Sequence, residues 1–363
     1  MQPMSWMELP FKWMNDTMRW NIEQMERNAR YWDAALVRYT AKPSWATDNQ
    51  VVFELPALRL RQFGADSSCD EIPTVIVAPQ VNHSSICDYS TDQSLVSTLM
   101  DHGLKRVYAV EWKSATLARS KETLDDALDY VLQCIDELGG KVRLVGLCQG
   151  GWMSLILAAV APEKVESLVL AAAPVDFHAD PGPVNIMARY IYPMAFYKWL
   201  VMMGGGVMRG ELISRGFDSM RPFERYVLKY LDLYANVDNE EYLKRFKRLD
   251  VWYGIPQNIP GLAYLRIVRE LFKENRLVKG TFTYRDQTVD LSRVNMPTHL
   301  LTGARDHITK AGQLLAAADH ISTPSEKCYT YEADAGHVGV FMSKKALKGV
   351  WPTVAQRIIE DGA

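Results

Sequence analysis

Leu144-Val-Gly-Leu-Cys-Gln-Gly-Gly151 is a short apolar run that enters a glycine-flanked turn with Cys148 at its apex, and an amphipathic helix is expected beyond it over Met153 to Val160. A strand, a tight turn and a helix with a reactive side chain at the turn make a nucleophile elbow, here carrying sulfur in place of oxygen. Such a turn lifts the central side chain into a site, and small neighbours such as Gly146 and Gly150 avoid clashing with it. It also leaves the Gln149 amide pointing at a reacting carbonyl. The unpaired N–H groups and macrodipole of the new helix favour the thiolate, the form of cysteine that attacks. The competing reading is a buried, unreactive cysteine in a βα turn.

Two later segments supply what such a nucleophile requires. Pro297 to Thr309 reads as a strand followed by a loop, with Asp306 just past the carboxyl end of the strand. A second strand-like run, Lys327 to Tyr331, precedes Ala335-Gly-His-Val-Gly339, which sets His337 on a glycine-bracketed loop. Nucleophile, acid and histidine in this order are those of α/β hydrolases. His337 is the candidate general base, and Asp306 the group that holds its tautomer and stabilises its charged form. His307 stands beside Asp306 as an alternative base or a supporting residue. Adjacent loop side chains diverge, so an Asp306 that faces the sulfur turns His307 away.

These residues carry a family resemblance. Gly146 to Gly151, Asp306-His307-Ile308, Gly336 to Gly339, Ala173-Pro-Val-Asp-Phe177, Glu274-Asn-Arg-Leu-Val-Lys-Gly280, Val289 to Leu291 and Met296-Pro297 together resemble the polyhydroxyalkanoate synthases, over about residues 73 to 345. The resemblance implies an acyltransferase that polymerises hydroxyacyl groups from coenzyme A thioesters through a covalent cysteine thioester. Cys148, Asp306 and His337 match the triad positions. Coenzyme A enters as part of the substrate, and neither a separate cofactor nor a metal is implied. The short N-terminal segment is similar to that of class III catalytic subunits, which implies a separate non-catalytic subunit and a homodimer.

One loop departs from the family pattern. Val81-Asn-His-Ser-Ser-Ile-Cys-Asp88 keeps Asn82, Ile86 and Asp88 but carries His83 where the family has arginine or lysine. In α/β hydrolases this loop supplies the second oxyanion-hole amide, so the candidate donors are the backbones of Gln149 and of Val81 or Asn82. Backbone amides survive a side-chain change, whereas a permanent positive charge does not. Asn82 and Asp88 also suit plain loop caps, with His83 exposed.

Composition fits a single elaborated core. A chain of 363 residues buries a large interior, and a net charge of -2 with mixed acids and bases gives no basic patch for nucleic acid. Five cysteines at irregular spacings form no disulfide framework and no zinc pattern. The most apolar stretch, Trp152 to Val175, is broken by Pro162, Glu163, Lys164 and Glu166 and does not span a membrane. Without a signal-peptide pattern at the N-terminus, the expected location is the reducing cytoplasm, with granule association.

Strand-like runs at Val51 to Phe63, Thr74 to Ala78, Val107 to Trp112, Val142 to Leu147 and Ser167 to Ala172 alternate with helical runs at Gln93 to His102 and Leu124 to Leu138. This rhythm predicts an α/β-hydrolase fold, a mainly parallel sheet with helices on both faces and its site at the carboxyl ends of the strands. It stops from about His178 to Arg293. The expected organisation is therefore an N-terminal amphipathic helical segment over 1–48, a first core part over 49–177, a helical cap over 178–293 and a second core part over 294–363. The cap carries an aromatic and methionine stripe, Met187 to Met203, which suits core packing or a lid with Gly204 to Gly206 as its hinge. Met1 to Tyr39, with Trp6, Phe11, Trp13, Met18 and Trp20, suits a granule surface, a partner helix or packing on its own domain.

The chemistry explains a cysteine in a polymerase. Exchange of one thioester for another is nearly neutral, and attack by a hydroxyl then forms the more stable oxoester. The alternative is a cysteine-dependent intracellular depolymerase or thioesterase with water as acceptor. A granule-binding protein with a silent site is a third reading.

Overall fold

Valine, isoleucine and leucine fill the runs that become the central strands, and nearly every residue of those strands is buried on both faces. Strands of this kind need helices on each side to cover them. The computed structural model describes residues 8–37, 40–64 and 71–362. Among them an eight-stranded sheet runs through β1 (Asn49–Glu54), β2 (Leu58–Phe63), β3 (Thr74–Val77), β4 (Val107–Trp112), β5 (Val142–Leu147), β6 (Val165–Ala171), β7 (Thr298–Gly303) and β8 (Cys328–Ala333). Their spatial order is β1-β2-β4-β3-β5-β6-β7-β8. β2 lies antiparallel to both its neighbours, and every later pair is parallel. This is the α/β-hydrolase architecture that the rhythm of the sequence predicts.

Register aligns the ends that matter. Val77 of β3 stands opposite Gly146 of β5, and Gly146 opposite Leu170 of β6. The loops after β3, β5, β7 and β8 therefore leave the same edge of the sheet. They carry Val81, Cys148, Asp306 and His337 respectively.

The helix after β5, Gln149–Val160, differs from its expected amphipathic character. Every residue from Gln149 to Ala159 is buried, because the helix packs on β5 and β6 and is covered by the turn Leu291–Arg293. A helix enclosed on all sides needs no polar face.

The insertion also departs from the expected single cap. The structure forms two compact units, one comprising the described residues up to Pro43 with Gly216–Ile255, the other Ser44–Arg215 with Pro256–Ala363. Only the middle of 178–293 thus separates from the hydrolase core, and it joins the N-terminal segment. The reason is packing: Ala34 and Ala35 of the long helix Glu8–Leu36 share a small core with Leu233, Val237 and Leu243. Arg27 and Arg30 pair with Asp238 at 3.4 and 2.6 Å, and Lys247 pairs with Asp33. Much of the tryptophan and methionine stripe on this helix is exposed, with Trp13 at 73 % and Met25 at 71 %. Trp6 and Tyr39 lie outside the described residues, as does the side chain of Phe11.

The remaining parts of the insertion belong to the core unit. Gly204 to Gly206 end the helix Met194–Met203 there, and a Cβ on Gly204 would stand 2.0 Å from the Val207 carbonyl oxygen. Close packing is what the structure shows of this triplet.

Glycine at 150 is equally constrained. A Cβ there would lie 1.9 Å from the Val77 carbonyl oxygen, a main-chain atom with no rotamer to escape by. Gly150→Ala is expected to destabilise the protein by about 1–3 kcal/mol or more through overpacking. Urea unfolding reads this directly, and an unchanged midpoint would show that helix and strand are not pressed together here.

Candidate active site

Cys148 sits between strand and helix with φ 52° and ψ −114°, a backbone conformation that side chains other than glycine rarely adopt. Its N–H donates to the Ala171 carbonyl at 2.9 Å, and its own carbonyl accepts from Gly151 at 3.0 Å. Glycines make the turn sterically possible. A Cβ on Gly146 would lie 2.4 Å from the Gly151 Cα, and one on Gly151 would lie 2.3 Å from the Ala173 Cβ. Side chains at these positions would push the two limbs of the turn apart and lower the sulfur out of place.

His337 and Asp306, on the loops after β8 and β7, meet. His337 Nδ1 donates to Asp306 Oδ2 at 2.8 Å, which leaves Nε2 on the other side of the ring, and Cys148 is near enough to act on the ring electrostatically. Asp306 is fixed in turn, its Oδ1 accepting N–H bonds from Ile308 and Thr309, each at 2.9 Å. Burial opposes a charge on His337, but the Cys148 sulfur and the Asp306 carboxylate outweigh it and raise the imidazole pKa to about 10. A ring that keeps its proton beside the Asp306 carboxylate forms a buried ion pair with it. His307 is half-buried and does not line the cavity described below.

A cavity of about 120 Å³ opens at Cys148 and is mainly apolar, with Val81, Trp152, Ile213, Ile267 and Phe272 among its walls. Val81 and Gln149 both line it, whereas Asn82 does not. Val81 offers its carbonyl to Gln257 N–H at 3.0 Å, which holds the loop after β3 in place.

Two arrangements were not foreseen. The Gln149 side chain accepts from the Gln80 N–H at 3.0 Å and donates to Gln80 Oε1 at 3.0 Å, so the elbow and the loop after β3 are bolted together by a reciprocal amide pair. Only the presence of two glutamines in the two loops hinted at it. The motifs Ala173–Phe177 and Glu274–Gly280 also meet: Asn275 donates to Asp176 Oδ1 at 2.7 Å and accepts from Phe177 N–H at 3.0 Å. Asn275 adopts φ 55° to do so, and the Phe177 and Phe272 rings pack at 4.8 Å. This clasp ties a cavity wall to the end of β6.

His83 does not reach the cavity. Its Nδ1 caps the short helical turn Ser84–Cys87 by accepting from Ser85 N–H at 3.2 Å, and its Nε2 lies 3.3 Å from Glu111 Oε1. It is half-buried rather than exposed, because Glu111 and the ring of Trp45 enclose it. Asp88 is fully buried and caps the chain at Ala46 and Thr47, accepting from both N–H groups at 2.8 Å.

Among the described residues no group of histidine, cysteine and carboxylate side chains could hold a metal ion, and no helix is long and apolar enough to cross a membrane.

The family model described as "Protein of unknown function (DUF3141)" matches residues 59–357. The chain is 29 % identical over 321 residues to the "Poly(3-hydroxyalkanoate) polymerase subunit PhaC" of Haloferax mediterranei, spanning 86 % of this chain and 64 % of that protein. It is 30 % identical over 299 residues to the protein of the same name from Synechocystis sp., spanning 80 % and 78 %. Among solved structures, the monoacylglycerol lipase of Paleococcus ferrophilus matches with a TM-score of 0.55 at 17 % identity, over 84 % of this chain and 99 % of the lipase. That likeness concerns the fold.

The imidazole yields a pH prediction. Its folded-state pKa of about 10 lies above the roughly 6.5 of an unfolded histidine, so the stabilisation is complete below the lower value and is lost as pH rises through the higher. The thermal midpoint of the wild type is expected to fall relative to His337→Gln as pH is raised across that window. A gap between the two that stays constant with pH would overturn the ion pair.

Proposed function

This chain belongs to the DUF3141 family and to the family of poly(3-hydroxyalkanoate) polymerase subunits, and from that premise we propose that it transfers 3-hydroxyacyl groups from coenzyme A thioesters to a growing polyester. The observation that carries the reading is the Asp306–His337 pair, with a cysteine at a positive-φ elbow near enough to act on the ring electrostatically. Cys148 is the nucleophile in this proposal. Its thiolate attacks the thioester carbonyl, a C–S bond forms as the coenzyme A C–S bond breaks, and the departing thiolate takes the proton from His337. The ring then accepts the proton of the incoming hydroxyl as that oxygen attacks the Cys148 thioester and releases the sulfur. Asp306 keeps the ring oriented throughout.

The Gln149 and Val81 amides are the proposed oxyanion donors. Support comes from their place on the cavity beside Cys148 and from the amide pair that sets the distance between their loops. Apolar walls favour polymerisation over hydrolysis by discouraging water. The exposed tryptophans and methionines of Glu8–Leu36 support placing granule or partner-subunit contacts on that helix.

Purified protein incubated with 3-hydroxybutyryl-coenzyme A, with and without a candidate partner subunit, is expected to release thiol and form polymer. Release without polymer would instead indicate a thioesterase, and no release in either mixture would overturn the acyl-transfer reading. Cys148→Ala is expected to lower turnover by at least about 10³-fold while the fold is retained. Residual activity near wild type in that variant would remove Cys148 from the chemistry.

A further inference from the structure

The amide side chains on the cavity wall are already engaged. Gln149 is paired with Gln80, Asn185 donates to the Phe177 carbonyl at 2.9 Å, and Gln313 donates to the Asp180 carbonyl at 3.2 Å and to Asn185 at 3.1 Å. Two lining hydroxyls differ. Tyr264 and Thr309 also line this mainly apolar cavity beside Cys148, and their hydroxyls enter no hydrogen bond with another described residue. A phenol or hydroxyl on such a wall can hydrogen-bond a polar atom of a molecule bound there.

Tyr264 is the better placed of the two. It stands on the helix Gly261–Arg266, and its ring is held 6.2 Å from that of Tyr197. Burial, with Tyr197 nearby, raises its pKa, so the phenol keeps its proton throughout the working range. Thr309 belongs to the acid loop, with its N–H bonded to Asp306, so a change there would disturb the triad itself.

We propose that Tyr264 is a specificity-determining residue whose phenol donates a hydrogen bond to the oxygen on the β-carbon of an acyl group bound at Cys148. The cavity then prefers 3-hydroxyacyl thioesters to plain acyl thioesters of equal length. The physical basis is that a site built around a substrate oxygen loses that bond with an analogue lacking it, whereas an apolar wall alone discriminates weakly. This inference rests on the acyl-transfer reading above and adds a residue and a selectivity to it.

The test is single-turnover acylation, read as thiol release and as mass added at Cys148, with 3-hydroxybutyryl-coenzyme A and butyryl-coenzyme A. Wild-type protein is expected to favour the hydroxylated substrate by about tenfold or more, near the upper range of one hydrogen bond. Tyr264→Phe is expected to bring the ratio of the two rates towards one, chiefly by slowing the hydroxylated substrate. A purely structural role would slow both alike and preserve the ratio, which would overturn the assignment. So would a wild-type ratio near one, a result that does not depend on the variant folding. Absence of acylation by either thioester in the wild type would overturn the acyl-transfer reading instead.

Discussion

The inverted backbone at Cys148 is the constraint on which the site depends. A cysteine held at φ 52° costs on the order of 1–3 kcal/mol and persists only where its surroundings over-determine it. Here they do so through three glycines that let helix, strand and the end of β6 approach within distances no side chain would tolerate. With the turn fixed, Cys148 and Gln149 both stand on the cavity, and the helix begins at once after the cysteine. The remaining groups need only be brought to that point.

The elbow was legible because it is local. Its strand, glycines and nucleophile lie within eight consecutive residues, and Asp306 and His337 follow strands whose apolar runs announce themselves. The helix behind the elbow was misjudged because an apolar run such as Trp152 to Val160 gives no clear polar face from which to judge how many sides are covered. The Gln80–Gln149 pair and the Asp176–Asn275 clasp were illegible for another reason. Each joins segments far apart in the chain, and single polar residues carry no periodicity that links them. The same holds for the grouping of Glu8–Leu36 with residues 216–255, which depends on which small apolar faces meet. His83 shows the limit of pattern matching: its departure from the family motif is absorbed by Glu111 and by a helical turn, away from the cavity.

Electrostatics and packing divide the labour at the site. The charged elements stand behind the sulfur, where Asp306 and the two N–H bonds it accepts support the ring of His337. The walls in front are mainly hydrocarbon and aromatic, with their amide side chains tied to one another or to the main chain. A low-polarity space next to an ion pair strengthens that pair and discourages water from entering.

Cys148 follows a central strand, whereas His337 follows β8, the last strand and an edge of the sheet. During synthesis the elbow segment emerges long before the histidine does. The growing polypeptide therefore holds a thiol with no proton acceptor until β7 and β8 have docked beside β6. The pairing of Cys148 with His337 is in this way left to the closing stage of assembly.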